Sequence, residues 1–195
     1  MESTKAYIKE DRSIYIDESI FSDIAAGDRD AFAALYETCS RAVYAFLLTY
    51  VKNTEDASDL MQDTFLKIRS AAGLYKPYGK PMAWIYTIAR NFALMKLRKD
   101  TAHPQDELTE TSAVTTNVEK QIEQKLLIRD ALAILSEEDV KIVVLHAVNG
   151  MKHREIAELM GLSLTATLNR YHRALKKLKK QIGGESYESC GTPTK

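Results

Sequence analysis

Cysteine is scarce in this chain of 195 residues: only Cys39 and Cys190 occur. One falls in a helix-like stretch and the other in a polar tail, so neither a disulfide framework nor a cysteine metal site is supported, and both read as reduced thiols. Histidine is nearly as sparse. His103, His146, His153 and His172 form no metal-ligand pattern, no glycine-rich loop for phosphate occurs, and an enzyme therefore has little support. No catalytic residue, metal ligand or cofactor is expected. Apolar runs of the roughly eighteen residues that span a bilayer are missing, and the opening Met-Glu-Ser-Thr-Lys lacks the basic-then-apolar pattern of a signal peptide. The expectation is a cytoplasmic protein without membrane insertion. Net charge is absent too, with 27 basic and 27 acidic residues. That balance argues against a nucleic-acid binder only on average, because the signs are segregated: no Lys or Arg lies between Lys99 and Lys120, whereas the last helix-like stretch is crowded with them.

With 45% hydrophobic and 28% charged residues the composition is ordinary for a globular protein, and the length allows one domain or two small ones. The most informative stretch is Thr54 to Lys99. Thr54 is expected to cap a helix with acids in its first turn, where the helix dipole favours them. Ala57, Leu60, Met61, Phe65 and Ile68 then share one face, and Asp56, Asp59 and Asp63 line an adjacent acidic stripe. Two of the only four prolines follow in Leu74-Tyr-Lys-Pro-Tyr-Gly-Lys-Pro81, a constrained loop carrying two tyrosines and two lysines. Aromatic faces beside cations suit an unstacked base and its phosphate, and core packing suits the same tyrosines equally well. After Pro81 helical spacing resumes, with Ile85, Ile88, Phe92 and Met95 expected inward and Arg90, Lys96, Arg98 and Lys99 outward.

On either side of this stretch the pattern is also helical. Ile14 to Ala26 predicts one short helix ending at Gly27. Asp28 is expected to cap the next, through Ala31, Phe32, Leu35 and Tyr36, and a further apolar run covers Ala42 to Val51. Phe32, Phe46 and Phe92 read as core. From Asp100 to Val118 the periodicity vanishes into Thr, Ser, Pro, Asn and acids, as in a linker. Glu119 to Leu135 regains helical spacing, Ser136 before Glu137, Glu138 and Asp139 reads as an N-cap, and the next helix runs to Asn149-Gly150. His153 to Met160, Gly161-Leu162-Ser163 and Leu164 to Gln181 then make a helix-turn-helix, with Arg170, Arg173, Lys176, Lys177, Lys179 and Lys180 as phosphate-facing charge.

The run DASDLMQDTFLKI followed by MAWIYTIARNFALMKLRKD resembles the second region of bacterial sigma factors, specifically the short extracytoplasmic-function (ECF) group of the sigma-70 family. GDRDAFAALYE and VYAFLLTYV are similar to that family's opening helices, and ALAILSEEDVKIVVLHAVNGMKHREIAELMGLS to its fourth region. The resemblance implies an all-α protein of two small helical domains joined by a flexible linker. Residues 14–99 would form region 2, 100–118 the linker, 119–182 region 4 and 183–195 a flexible tail. It implies a non-catalytic promoter-recognition subunit of RNA polymerase. Asp56, Asp59, Gln62 and Asp63 would dock on the clamp helices of the largest (beta-prime) subunit, although acids that merely solvate a helix face are the plainer reading. Tyr75, Tyr78 and Lys80, with Arg90 and Asn91 behind them, would melt the minus-ten element. Ser163, Thr165, Leu168, Asn169, Arg170, Arg173, Lys176 and Lys177 would grip the minus-thirty-five duplex, beside the beta flap. The acidic linker would follow the RNA path as a nucleic-acid mimic or serve as a spacer, and an anti-sigma factor occluding both domains is the family expectation.

Two departures from the family pattern matter. Its reader helix runs Ser-x-Gly-Thr-Val-Lys-Ser-Arg with the valine inward; here Ser163 and Arg170 match, but Ala166, Thr167, Leu168 and Asn169 fill the middle. Leu164, Leu168, Tyr171, Leu175, Leu178 and Ile182 offer another apolar stripe, so either the helix is rotated or Leu168 meets a thymine methyl. In region 2 the family's acid near the helix end is replaced by Met95. The rival reading is a one-component helix-turn-helix regulator, whose amino-terminal half would hold a ligand pocket or a dimer seam.

Overall fold

The computed structural model describes residues 14–51, 53–102 and 133–184, and among them every regular element is helical. Most of the expected linker, the helix expected over Glu119 to Leu135 as far as residue 132, the tail with Cys190 and the side chain of Ile182 lie outside the described residues.

Helix α1 spans only Ile20–Ala25, shorter than the Ile14 to Ala26 expectation. Its start is set by Asp17, whose carboxylate accepts from the Ser19 amide at 3.0 Å and turns the chain first. Gly27, at φ 93°, ends it in a conformation that side chains strain to reach. Asp28 then accepts from the amides of Asp30 and Ala31 at 2.8 and 3.1 Å and starts α2, Arg29–Val51. The two apolar runs expected there form one continuous helix, since nothing between them breaks it. Leu35, Cys39, Val43, Phe46, Leu47 and Tyr50 form its buried stripe. Burial pushes the Cys39 thiol up to about 12, so it stays protonated and inert.

Helix α3 spans Thr54–Ala71, but its cap is Asn53 rather than Thr54: the Asn53 side chain accepts from the Asp56 amide at 2.7 Å. Both residues suit a cap, and the one that leaves helical geometry, Asn53 with ψ 154°, takes the role. The inward face contains Ala57, Leu60, Phe65 and Ile68 as expected, with Met61 partly buried and Thr64 added. A 3₁₀ turn at Ala72–Leu74 and the proline loop lead to α4, Pro81–Ala102, which continues past Lys99. Its buried face is Met82, Ile85, Tyr86, Ala89 and Ala93. Ile88 and Phe92 are only partly buried, and Met95, expected inward, is 62% exposed. At about 100° per residue Met95 lies roughly 120° around the helix from Ala89, so the 3-4-3 spacing that began at Ile85 drifts off the core side.

Ser136 caps α5, Glu137–Val143, accepting from the Asp139 amide at 3.2 Å. The helix then widens into a π turn over Val144–Val148. Helix α6, His153–Met160, and α7, Leu164–Gly184, meet at Gly161, whose left-handed φ of 69° makes the turn. Leu135, Val143 and Ala174 form a small core under α7. Ile142, Leu145, Met151 and Ile156 instead belong to the cluster built by α1 to α4, so the carboxyl-terminal helices pack on α2 and α4. Asn149 donates to the Ala42 carbonyl at 3.2 Å, and the Lys141 ammonium lies 4.0 Å from the Tyr50 ring centre.

Candidate nucleic-acid interface

Three surfaces carry the residues singled out by sequence. On α3, Asp59, Gln62 and Asp63 are exposed on one face. Asp56 is turned toward the helix bundle instead: Asn53 Nδ2 donates to its carboxylate at 2.6 Å and Lys96 Nζ on α4 lies 3.0 Å from it. The Asp56 contact is the main reason the Lys96 ammonium holds its proton above the usual lysine range. Leu66, which the sequence reading missed, is 61% exposed one turn beyond Gln62 and Asp63 on the same side of the helix. Its position three residues after Asp63 and off the inward stripe was the available signal.

The loop splits its two tyrosines. Tyr75 donates its hydroxyl to Glu18, and its ring lies 4.2 Å from Phe21 and 5.3 Å from Trp84, centre to centre. Burial, reinforced by Glu18, raises its hydroxyl well above the ordinary tyrosine value. Glu18 also accepts from the Gly79 amide at 2.8 Å, so this one carboxylate fixes both ends of the loop. Tyr78, by contrast, is 75% exposed. Lys80 is half-buried, and its ammonium lies 2.8 Å from Glu158 on α6. Arg90 and Asn91 do not join this group: they stand on α4 roughly 14 Å along the helix axis from Pro81 at about 1.5 Å per residue. Arg90 reaches the Tyr50 hydroxyl, whose pKa burial raises and Arg90 pulls back, while Asn91 is exposed.

The third surface is α7. Ser163 caps it, accepting from the Ala166 amide at 3.1 Å. Thr167 is fully buried, with its hydroxyl donating to the Ser163 carbonyl at 3.1 Å, and Tyr171, Ala174 and Leu178 follow it on the inner side. The valine position of the family pattern therefore still points inward, filled by a residue of valine's shape whose hydroxyl is satisfied locally. Rotation onto the Leu164 and Leu168 stripe does not occur: Leu164 is 41% exposed and Leu168 only half-buried. Outward stand Thr165, Asn169, His172, Arg173, Lys176 and Lys177. Arg170 is not among them, because its guanidinium lies 2.5 Å from Glu138 and 3.5 Å from Asp139 on α5. That pair stitches the reader helix to the scaffold. Beneath α7, His146 and His153 stack with ring centres 3.9 Å apart, and Tyr171 packs edge-on against both. Burial first, then His146 and His172, hold His153 below the usual histidine range.

No helix among the described residues is long and apolar enough to cross a membrane, and no group of three or more His, Cys, Asp or Glu there is placed to hold a metal ion.

The sequence matches the family model for Sigma-70 region 2 over residues 35–103 and that for Sigma-70, region 4 over residues 125–178. It is 35% identical over 162 residues to RNA polymerase sigma factor CarQ of Myxococcus xanthus, an alignment covering 80% of this chain and 92% of that one. It is 27% identical to ECF RNA polymerase sigma factor SigM of Mycobacterium tuberculosis (strain ATCC 25618 / H37Rv), covering 86% and 85%. In fold it is similar to CnrH, solved in complex with the cytosolic domain of CnrY, with a TM-score of 0.65 at 23% identity over 87% of this chain and 99% of that one. It is also similar in fold to the sigma factor RpoE of Bartonella quintana, solved with the anti-sigma factor NepR, with a TM-score of 0.63 at 21% identity over 78% and 96%.

Proposed function

This chain belongs to the ECF group of the sigma-70 family of RNA polymerase sigma factors, and from that premise we propose how its parts divide the work of initiation. Residues 14–99 form the unit that binds core polymerase and opens the minus-ten element. Residues 119–182 hold the minus-thirty-five duplex, 100–118 tether the two units, and 183–195 form a tail. The chain acts in the cytoplasm with core polymerase and promoter DNA, and it catalyses no reaction. The rival one-component regulator is set aside because the region 2 match covers residues 35–103.

Asp59, Gln62 and Asp63, with Leu66 among them, dock on the beta-prime clamp helices; Asp56 supports that face from its anchored position. An exposed apolar residue one turn beyond Gln62 and Asp63 suits a coiled-coil partner with basic flanks, since a desolvated centre carries most of an interface's energy. Melting without a nucleotide fuel requires binding energy to offset the few kcal/mol of unstacking a base. Tyr78 is the exposed ring for that base and Lys80 the cation for its phosphate, while Tyr75 braces the loop. Arg90 and Asn91 meet the strand further along α4. On the duplex side Thr165, Asn169 and Arg173 face base edges, with Leu168 at the margin, Lys176 and Lys177 on phosphates, and Ser163 and Arg170 holding the helix in place. The region 4 unit also meets the beta flap, and an anti-sigma factor is the expected antagonist of the whole.

The observation that carries this reading is the burial of Thr167, which supports a reader helix presenting Asn169, Arg173, Lys176 and Lys177 together. The test is in vitro transcription: purified chain, core polymerase and a randomised promoter library. Transcripts should start downstream of one shared pair of spaced elements. Output no greater than that of core polymerase alone would overturn the assignment.

A further inference from the structure

We propose that the helix-turn-helix unit is a proton-gated duplex binder, in which the stacked imidazoles of His146 and His153 hold α7 in its reading position while neutral and release it when both are charged. The proposal rests on the reading of α7 as the duplex-facing helix given above. The π turn carries His146 at its centre, and Gly150, at φ 70°, turns the chain back after it. That return brings the Met151 carbonyl 2.8 Å from His146 Nδ1, and since a carbonyl only accepts, the contact places a proton on Nδ1. His153, at the start of α6, stacks on His146 at 3.9 Å between ring centres, and its Nε2 is buried with no hydrogen-bond partner. Both rings press on one side chain of α7: Tyr171 stands edge-on, 4.7 Å from His146 and 4.8 Å from His153.

Tyr171 is also where the seat of α7 joins the rest of the packing. It touches both the main buried cluster and the small one formed by Leu135, Val143 and Ala174. That small cluster is a thin seat, so a change at the two rings that carry Tyr171 reaches the helix as a whole. A proton on His153 sets a second positive ring 3.9 Å from the first, on a ring whose buried Nε2 meets no acceptor. The groups that face His153 from the neighbouring elements supply no counter-charge: the π turn contributes His146, and α7 contributes Tyr171 and His172. On its own helix Glu155 accepts from the Lys152 amide at 3.1 Å, Lys152 and Arg154 are cations, and α4 sends Lys80 to Glu158. Burial, His146 and His172 all act in one direction, so the folded unit binds fewer protons here than the unfolded chain, and the seat weakens as pH falls through and below 6.5. The exposed His172, beside Asn169 and Arg173 on the outward face, works in the opposite sense, because its charge adds to the grip on phosphate. The two effects are separable, since they sit on different rings.

The experiment uses the full chain at pH 7.5 and 5.5. Two readouts are taken: hydrogen exchange of the α7 amides, corrected for the intrinsic rate, and anisotropy of a short rhodamine-labelled duplex of random sequence at low salt. Exchange in α7 should quicken on acidification by roughly three-fold relative to α3, and should not do so in His153→Phe. The duplex affinity of the unmodified chain relative to His153→Phe, near equal at pH 7.5, should drop about three-fold at pH 5.5. His146→Leu removes the other half of the stack and should match His153→Phe, and it takes that variant's place if circular dichroism shows His153→Phe unfolded. His172→Gln should keep most of the exchange response and bind duplex more weakly at pH 5.5. Exchange in α7 that responds to pH alike in the unmodified chain and both stack variants would overturn the switch, and so would an exchange response with no change in relative affinity. Failure of the functional reading shows separately, as duplex binding at pH 7.5 untouched by Arg173→Ala and Lys177→Ala together; that result would remove α7 as the reader and the gating with it.

Discussion

Lys96 on α4 places its ammonium 3.0 Å from the carboxylate of Asp56 at the start of α3, and 3.3 Å from Asp100 one turn along its own helix. The bridge ties α3, which carries the proposed docking face, to α4, which follows the loop proposed to open the promoter. It also separates Asp56 from Asp59 and Asp63, although all three share a stripe in the sequence.

Charge reversal at Asp59 and Asp63 together should abolish co-purification with core polymerase while the far-ultraviolet circular dichroism stays helical. Asp56→Asn should retain binding and instead lower the melting temperature by a few degrees, in keeping with about 1 kcal/mol for a partly exposed pair. A pull-down and a thermal melt on the same preparations check both. Loss of polymerase binding in Asp56→Asn at unchanged stability would assign that acid to the interface after all.

The loop tyrosines should separate in the same manner. Tyr78→Ala should reduce permanganate reactivity at the melted element with little effect on thermal stability, because an exposed side chain away from structural contacts contributes within about 0.5 kcal/mol. Tyr75→Phe should keep most melting and lose about 1 kcal/mol of stability with the hydroxyl contact to Glu18. Equal loss of duplex binding and melting in Tyr78→Ala would mean the ring packs rather than captures.

On the reader helix, Leu168→Lys should strengthen duplex binding and steepen the dependence of log K on log salt by about 0.9, one added phosphate contact. Thr167→Lys, one residue earlier, should unfold the helix-turn-helix, since it buries an unpaired ammonium. Arg170→Ala should lower stability and leave the salt slope as it was, because its charge already serves Glu138 and Asp139. Salt titrations of duplex binding measure each slope; a shallower slope in Arg170→Ala would return that arginine to the DNA surface.

The histidine stack predicts a pH dependence. His153 has its folded-state pKa pushed below 6.5, so the unfolded chain binds more protons in that range and stability falls as pH drops through and below 6.5. His146, His172 and Tyr171 face the same ring, and a second imidazolium 3.9 Å from the first would be strongly disfavoured. His153→Phe should flatten the melting-temperature profile between pH 7 and 5.5. A profile identical to the unmodified chain's would show that His153 ionises freely.

Much of this was legible from residue order because it is local. Asp28 and Ser136 cap their helices within three residues, the α3 core face follows from spacings of three and four, and the bounds of α6 come from its flanking glycines and charges. The misses share one cause. Asn53 and Thr54 are equally good caps until the chain's entry direction is known. Met95 continues a spacing rule whose phase only the neighbouring helices set. Arg170 and Tyr75 carry the right chemistry for DNA, and whether Glu138 or Glu18 claims them first depends on residues far off in the chain.

By itself the sequence determined that the chain is helical, where its turn and caps fall, and which charges it has to offer, since backbone geometry and short-range hydrogen bonds decide those. Only the tertiary structure decided which charges are free. Thr167 and Leu168 are neighbours about 100° apart on one helix, and the buried space beneath α7 accepts the smaller, self-satisfied side chain. That choice turns Asn169 and Arg173 outward and Arg170 in, because packing against α5 fixes the rotation of a helix that its own residues leave open.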